Sequence, residues 1–212
     1  LMLTWIVVRW LPTTGWSRSS FKYLWGFGNK LMASGLLDTL YSNIVPVFIG
    51  KYYSPADLGV YNRARGYAAM PSQNITGVIQ GVTFPVLSKM QDDKERLAYN
   101  YRKMLKTTAF IIFPIMLMLS ALARPLVITL VTVKWEACII LLQIICFTMM
   151  WYPIHALNLN LLQVKGRSDL FLRLEIIKKV IGLCIMACTL PQGVIVFCYG
   201  AFASSMVALA MN

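Results

Sequence analysis

Residues 137–164 read ACIILLQIICFTMMWYPIHALNLNLLQV and carry no charged side chain, although Glu136 and Lys165 stand directly at their two ends. A helix needs about 20 mostly apolar residues to cross the hydrocarbon layer of a bilayer, so this stretch is long enough to span one. The whole chain has the same character, because 58% of its residues are hydrophobic, 13% are charged and the mean hydropathy is +0.64. A soluble domain could not hide that much apolar surface, and we therefore expect an all-α, polytopic membrane helical bundle.

Further apolar stretches, separated by charged gaps, predict six membrane-spanning helices. The predicted spans cover residues 31–50, 64–88, 107–123, 137–164, 170–190 and 193–212. Of the 20 Lys and Arg residues, 15 lie in three alternate gaps, residues 9–30, 89–106 and 165–179. The positive-inside rule assigns such gaps to the cytoplasm. The net charge of +12 is then explained by orientation and by anionic lipid head groups, and no motif points to nucleic acid.

The beginning of the chain is interpreted as the end of another helix. Residues 1–8 are apolar and lack the charged region of a signal peptide, so we interpret them as the end of a truncated transmembrane helix. Residues 9–30 are expected to form a cytoplasmic connection, and residues 31–212 a six-helix transmembrane lobe. A lobe on its own would expose its inner face, and we expect it to be poorly stable in detergent.

Two local patterns predict where helices begin. Ser54 precedes Pro55 and Asp57, which favours a helix with Ser54 as N-cap and a capping-box pair. Residues 92–106 are polar but periodic, with acids at the start and bases at the end, as in an amphipathic helix at the membrane interface. We expect that helix to lead directly into the span 107–123.

The first full span carries a polar stripe. Ionisable groups inside a span are expensive, which makes them functional candidates by default. The stripe is consistent with the wall of a hydrated cavity in which Asp38 is a proton- or cation-linked carboxylate, and equally with an interhelical hydrogen-bond seam. Its members, within one third of the circumference at about 100° per residue, are Lys30, Ser34, Asp38, Tyr41 and Ser42.

The second span aligns a cation near its outer end, Arg63, with an amide near its middle, Asn74. Arg63 is a candidate ligand for an anionic head group, although snorkelling to the interface explains it as well. Gly77 and Gly81 on the same face are spaced for close helix packing.

Charged and polar residues also occur in the later spans. In the cytoplasmic half of the span 170–190, Glu175 can pair with Lys179, and the long basic side chains can snorkel to the head groups. His155 and Asn158 share a face of the span 137–164 and form a candidate proton relay, although a lone His in such a place more often has a packing role.

The cysteines and the remaining motifs give no sign of catalysis. We interpret the cysteines as small buried hydrophobic side chains, since all lie in apolar spans. No metal-ligand spacing, cofactor-binding loop or catalytic constellation is present in the sequence, so we expect no metal, no cofactor and no enzymatic activity. The five cysteines are Cys138, Cys146, Cys184, Cys188 and Cys198.

Five segments carry a resemblance to a known family. They are GKYYSPADLGVYNRA at 50–64, PSQNITGVIQ at 71–80, FPVLS at 84–88, WYPIHALNLNLL at 151–162 and KGRSD at 165–169. Together they resemble the Wzx-type polysaccharide flippases of the multidrug/oligosaccharidyl-lipid/polysaccharide exporter superfamily, over nearly the whole chain from Phe21. The resemblance implies a two-lobe exporter fold around a cationic cavity that opens alternately to each side of the membrane. This chain resembles the C-terminal lobe.

The function implied by the resemblance is movement of isoprenoid-diphosphate-linked oligosaccharides across the bacterial cytoplasmic (inner) membrane, for O-antigen, capsule or teichuronic-type polymers. The implied partners are this lipid-linked oligosaccharide, membrane lipid, the missing N-terminal lobe and polysaccharide assembly proteins. In the family the cavity is lined chiefly by the first two helices of each lobe. Here those helices carry the candidate substrate-binding residues Lys30, Asp38, Asn43, Arg63 and Asn74.

Three alternatives stay open. A cation-coupled multidrug exporter of the same superfamily would need an acidic, aromatic-lined cavity. A membrane polysaccharide polymerase or ligase would need catalytic Arg or His in a sizeable external loop. A transport-inactive interaction module would apply if the missing lobe is absent from the gene.

Overall fold

A computed structural model describes residues 17–211, which form helices and, over that range, no strand. The predicted truncated helix at 1–8 and the part of the connection 9–30 before residue 17 lie outside the described residues. The α-helices are α1 Arg18–Tyr52, α2 Pro55–Ser88, α3 Lys94–Ala121, α4 Ala123–Leu130, α5 Cys138–Met150, α6 Tyr152–Val164, α7 Ser168–Thr189 and α8 Val194–Ala210. Short 3₁₀ turns at Val133–Trp135 and Leu190–Gln192 precede α5 and α8. The predicted all-α bundle is confirmed.

Helix α1 begins earlier than the predicted first span. It starts at Arg18, so the second half of the predicted connection 9–30 is helical and continuous with residues 31–50. No proline occurs between Arg18 and Pro46, and adding residues to an existing helix is favourable. The charged gap therefore does not interrupt the helix.

The two predicted helix starts are confirmed. The Ser54 hydroxyl accepts from the Asp57 N–H at 3.1 Å, and the Ser54 N–H donates to the Asp57 carboxylate at 3.2 Å, which completes the capping box. Asp93 caps α3 by accepting from the Arg96 N–H at 3.0 Å. From there α3 runs without a break to Ala121, so the amphipathic segment and the apolar span form one helix.

Helix α5 occupies the centre of the bundle. It is apolar around most of its circumference, and most of its residues are buried, although Ile140 and Phe147 are exposed. It packs against α2, α3 and α8, and Leu142 and Cys146 are almost completely buried there.

The apolar run 137–164 is divided at Trp151 between α5 and α6. Pro153 has no N–H, so the Met149 carbonyl lacks the partner that an unbroken helix would supply. The hydroxyl of Ser72, a fully buried residue of α2, donates to this carbonyl at 2.7 Å. Residues Cys138–Val164 are long and apolar enough to cross a membrane, but not as one unbroken helix.

Three stretches of the described chain are long and apolar enough to span a membrane: Gly28–Tyr52, Lys94–Ala121 and Cys138–Val164. Helix α8 is apolar but shorter. Helices α2 and α7 are outside this set, and both contain several charged side chains. The arrangement of six spans stays a prediction.

The two ends of the bundle gather two different sets of connections. At one end, which we call the basic end, Leu87, Leu97 and Val164 form a small buried cluster that joins α2, α3 and α6 beside two of the basic gaps. At the opposite end the Tyr53 hydroxyl donates to the Leu190 carbonyl and accepts from the Gly193 N–H. Successive connections along the chain therefore alternate between the two ends of the bundle, as expected if every second connection faces the cytoplasm.

The prediction of buried cysteines is correct for Cys138, Cys146 and Cys198 and wrong for Cys184 and Cys188, which are exposed. Helix α7 turns Gly182 and Met186 to the bundle. Positions 184 and 188 are therefore on the opposite side of the helix.

Two cysteine substitutions test the orientation, Gln91→Cys before α3 and Gln192→Cys before α8. In a variant of the complete gene product without other cysteines, we expect a membrane-impermeant maleimide to label Gln192→Cys on intact spheroplasts. Gln91→Cys should react only after permeabilisation, because the basic gap faces the cytoplasm. Labelling of both positions from the same side would contradict this orientation.

Candidate functional site

The five candidate binding residues all lie at the surface of the described lobe. Lys30 and Asp38 belong to the polar stripe of α1, whereas Asn43 points about 140° away from Asp38 and donates to the Thr39 carbonyl at 2.7 Å. The structure therefore does not bring Asn43 to the stripe. On α2, the Arg63 guanidinium lies 5.2 Å from the ring centroid of Trp135, at the end opposite Lys30. Asn74 is about 16 Å further along the same helix.

A cluster of charged side chains joins α1 to α7. The Lys179 ammonium lies 2.5 Å from the Asp38 carboxylate and 3.9 Å from the Glu175 carboxylate. It also lies over the Tyr41 ring, 4.6 Å from the centroid. The Lys178 ammonium contacts Glu175 at 3.5 Å. We call Asp38, Glu175, Lys178 and Lys179 the ion cluster.

The ion cluster is deep in the bundle. Lys179 is about 15 Å from either end of α7, since a helix rises about 1.5 Å per residue. The Glu175 and Lys178 side chains are each 10% exposed, whereas the Asp38 side chain is 65% exposed. The predicted pairing of Glu175 with Lys179 is confirmed, but the expectation that Lys179 snorkels to the head groups is wrong, because Asp38 holds it laterally.

Helix α6 brings further polar groups to the ion cluster. Tyr152, directly after the break at Trp151, is close enough to Asp38 and Glu175 to interact electrostatically, and Lys178 is similarly close to His155. The stripe on α1 is thus an interhelical seam where Asp38 and Tyr41 meet α7, and it is exposed at Lys30 and at the Asp38 carboxylate.

The candidate relay residues His155 and Asn158 have different neighbours. His155 Nε2 lies 3.2 Å from the Ser205 hydroxyl on α8, and Asn158 accepts from the Tyr101 hydroxyl on α3. The two side chains bond to opposite neighbouring helices, so each has a packing partner of its own. A relay through them stays a prediction.

Sequence reasoning missed Arg65. Its guanidinium donates to the Ser42 carbonyl at 3.3 Å, which links α1 to α2, and it is half-buried near Tyr41 and Tyr61. Its position could have been inferred from the spacing, because residues two apart in a helix point to different sides. Since Arg63 lies on the exposed side of α2, Arg65 could have been expected to point towards a neighbouring helix.

The glycine pair of α2 does not pack against the lobe. A Cβ added at Gly77 or Gly81 would meet nothing within 4 Å in the described part of the chain, so the predicted close packing is wrong within this lobe. The close approach occurs instead at Gly182 of α7, where an added Cβ would collide with the Tyr41 hydroxyl.

Over residues 17–211 no group of three or more His, Cys, Asp or Glu side chains is arranged to hold a metal. The site offers instead two exposed cations, Lys30 and Arg63, towards opposite ends of the lobe, and between them a cluster that is largely buried except at Asp38 and whose formal charges cancel. Such an arrangement can attract an anion at either end of the path.

Fold and site together define a multi-pass helical membrane protein with ionised groups in its interior. The chain belongs to the family described as polysaccharide biosynthesis protein, which matches residues 1–140. As a member of this bacterial family with long apolar helices, it is placed in the inner membrane.

Three curated relatives are similar to the chain. Lipopolysaccharide biosynthesis protein WzxC of Escherichia coli is 28% identical over 72% of this chain and 31% of its own length. Teichuronic acid biosynthesis protein TuaB of Bacillus subtilis is 26% identical over 80% of this chain and 35% of its own length. Succinoglycan biosynthesis transport protein ExoT of Rhizobium meliloti is 28% identical over 61% of this chain and 26% of its own length.

The chain spans about a third of the length of the curated relatives that it matches. No solved structure matches it.

The ion cluster predicts an order of stability between two variants. Glu175→Gln leaves Lys178 without its carboxylate in the interior, and losing one partner of a buried pair costs about 3–5 kcal/mol. Asp38→Asn removes a mostly exposed carboxylate while Lys179 keeps Glu175 and Tyr41, so its cost is expected to be about 1 kcal/mol or less. Thermal unfolding in lipid nanodiscs should give Glu175→Gln the much lower Tm. Equal Tm values would contradict the central role of Glu175.

A matched pair of glycine variants tests the approach of α1 to α7. Gly182→Ala should lower the Tm, because the collision with Tyr41 causes overpacking worth about 1–3 kcal/mol, more than the helix propensity gained. Gly81→Ala has open space and should leave the Tm unchanged or raise it. The same nanodisc measurement checks both, and a tolerated Gly182→Ala would show that the helices are further apart.

Proposed function

We propose that this chain is part of a flippase, which moves isoprenoid-diphosphate-linked oligosaccharide from the inner to the outer leaflet of the bacterial inner membrane by alternating access. The observation that carries the proposal is the pair of exposed cations, Lys30 and Arg63, at opposite ends of the two adjacent helices α1 and α2. The relatives named for lipopolysaccharide, teichuronic acid and succinoglycan biosynthesis support this class of substrate.

The physical task explains why cations are needed at both ends. A diphosphate cannot cross hydrocarbon unaided, because burying an unpaired charge there is very costly. A fixed cation near each membrane surface can hold the diphosphate before and after its passage, while the isoprenoid tail stays in the lipid. Lys30 and Arg63 are proposed to bind the diphosphate or sugar, and Asn74, exposed between the two ends of α2, to line the path.

Asp38 is proposed to control access to Lys179 from the cavity side. Its carboxylate is exposed, yet it covers Lys179, which is only 20% exposed. An anion that enters beside α1 competes with this carboxylate for the ammonium group. Asp38 therefore neutralises Lys179 when no substrate is bound. This pairing prevents the Lys179 ammonium from binding the diphosphate too tightly for its release.

The alternatives have less support. A multidrug exporter for cationic drugs needs a free acidic group in the cavity, whereas Asp38 on the exposed stripe is already paired with Lys179. A polymerase or ligase needs a sizeable external catalytic loop, whereas the connections at the opposite end are two short turns, Tyr53–Ser54 and Leu190–Gly193, and the segment 122–137, most of which is α4 and a 3₁₀ turn. A non-enzymatic function is therefore proposed, with a first lobe and polysaccharide assembly proteins as the partners.

A double variant of the complete gene product, Lys30→Gln with Arg63→Gln, tests the proposal. Loss of both cations should lower surface polysaccharide at least tenfold, because each binding state of the diphosphate loses a charge-assisted contact of about 1.5–3 kcal/mol. The matched control, Lys89→Gln with Lys134→Gln, removes one exposed cation at each end away from the stripe and should leave output unchanged. Equal output from both variants at equal protein level would reject the assignment.

The leaflet that holds the accumulated lipid-linked oligosaccharide separates transport from synthesis. In cells with the Lys30→Gln and Arg63→Gln variant, a membrane-impermeant sugar probe on spheroplasts should detect no oligosaccharide until the membrane is permeabilised. Oligosaccharide that is exposed outside but not polymerised would mean that the protein is a polymerase or ligase.

A further inference from the structure

A groove of about 330 Å³ lies at the basic end, between the first half of α3 and the end of α6. Leu97 and Leu161 form its apolar floor, and three cations lie around it, Lys94, Arg102 and Lys165. Its volume is at the lower end of the range of about 300–1,000 Å³ that is usual for pockets that bind small molecules. The groove is therefore large enough for the head group of a lipid, but not for the whole lipid.

The three cations are not neutralised by the protein. In the part of the chain that the structure describes, none of them has a carboxylate oxygen within 4 Å. All three side chains are exposed, and no acidic residue lines the groove. Like charges held around one cavity repel each other, so an anion between them relieves that repulsion.

The groove is shaped for an anion that carries an apolar part. The buried Leu97 packs with Leu87 and Val164 beneath it, and the Tyr101 hydroxyl is already bonded to Asn158, which fixes this ring as one wall. About two turns beyond Arg102 the same helix exposes Phe110 and Ile111, apolar side chains that an acyl chain can contact. An inorganic anion would use only the cations and leave the apolar surface in water.

We propose that this groove binds the head group of an anionic phospholipid of the adjacent leaflet, with the phosphodiester between Lys94, Arg102 and Lys165. The depth suits this ligand, because an amphipathic helix such as the first half of α3 lies at the boundary between head groups and acyl chains. Basic pockets between helices on the cytoplasmic side bind anionic head groups, and each cation near the surface adds to that attraction. The site is distinct from Lys30 and Arg63 and does not depend on the proposed transport.

The test uses the complete gene product, purified in detergent and depleted of lipid. We expect phosphatidylglycerol to raise the Tm saturably, whereas phosphatidylcholine, which carries no net charge, should not. The triple variant Lys94→Gln, Arg102→Gln, Lys165→Gln should need at least ten times more phosphatidylglycerol for the same rise, since a tenfold change corresponds to about 1.4 kcal/mol.

The matched control, Lys89→Gln, Lys103→Gln, Lys106→Gln, removes the same charge from the same end of the lobe without touching the groove. It should bind phosphatidylglycerol as the unsubstituted protein does. If both triple variants bind phosphatidylglycerol equally weakly, the binding depends on the overall surface charge and not on the groove, and the proposal is overturned. If the groove variant does not fold, the single variant Lys165→Gln, with retained phosphatidylglycerol counted by native mass spectrometry, makes the same comparison against Lys103→Gln.

Two other ligands distinguish the source of the phosphate. Stabilisation by inorganic phosphate that equals the effect of phosphatidylglycerol would show a free-anion site and contradict a lipid site. An isoprenoid diphosphate that saturates the groove at a lower concentration than phosphatidylglycerol would assign the groove to the transported lipid instead. The proposal requires phosphatidylglycerol to be the stronger ligand in both comparisons.

Discussion

Glu175 contacts two ammonium groups in the interior of the lobe, those of Lys178 and Lys179, and the packing of α7 depends on these contacts. Without such pairing, the five charged residues of α7 would make it too polar to lie among apolar helices. Because Lys179 also reaches Asp38, the same contact fixes α1 against α7, and Gly182 allows the close approach by leaving room for Tyr41. The contacts that neutralise the buried charges are thus the same contacts that hold α1 against α7.

The central helix α5 adds a second constraint, the satisfaction of backbone groups where no water is present. The break at Trp151 leaves the Met149 carbonyl without a helical partner, and the Ser72 hydroxyl replaces it. The break also starts α6 in a new register, which brings Tyr152 near Asp38 and Glu175. A proline in an apolar run therefore influences both the backbone of the core and the surroundings of the ion cluster.

Features set by neighbouring residues were predictable from the sequence, and features set by distant packing were not. The capping box at Ser54 and the beginning of α3 depend on side chains within three residues, and both the capping box and a helix over residues 92–106 were predicted. The pairing of Asp38 with Lys179 joins residues 141 positions apart, and which helix faces α1 cannot be determined from hydropathy. The spacing of Gly77 and Gly81 suited helix packing, but the close contacts are made by two other glycines, Gly182 against Tyr41 and Gly200 against Thr189. Neither belongs to a pair of glycines with that spacing, and the partner side chains on the neighbouring helices decide where the approach is close.

The ion cluster contains two carboxylates and two ammonium groups, so in its ionised form it has no net charge. Moving one elementary charge through a membrane potential of 100 mV involves about 2.3 kcal/mol. A displacement of the intact cluster along the membrane normal involves no such electrical work, however large the displacement is. The resting voltage of the cell therefore does no work on the ion cluster itself, and any effect of voltage on α1 and α7 comes from their other charged side chains.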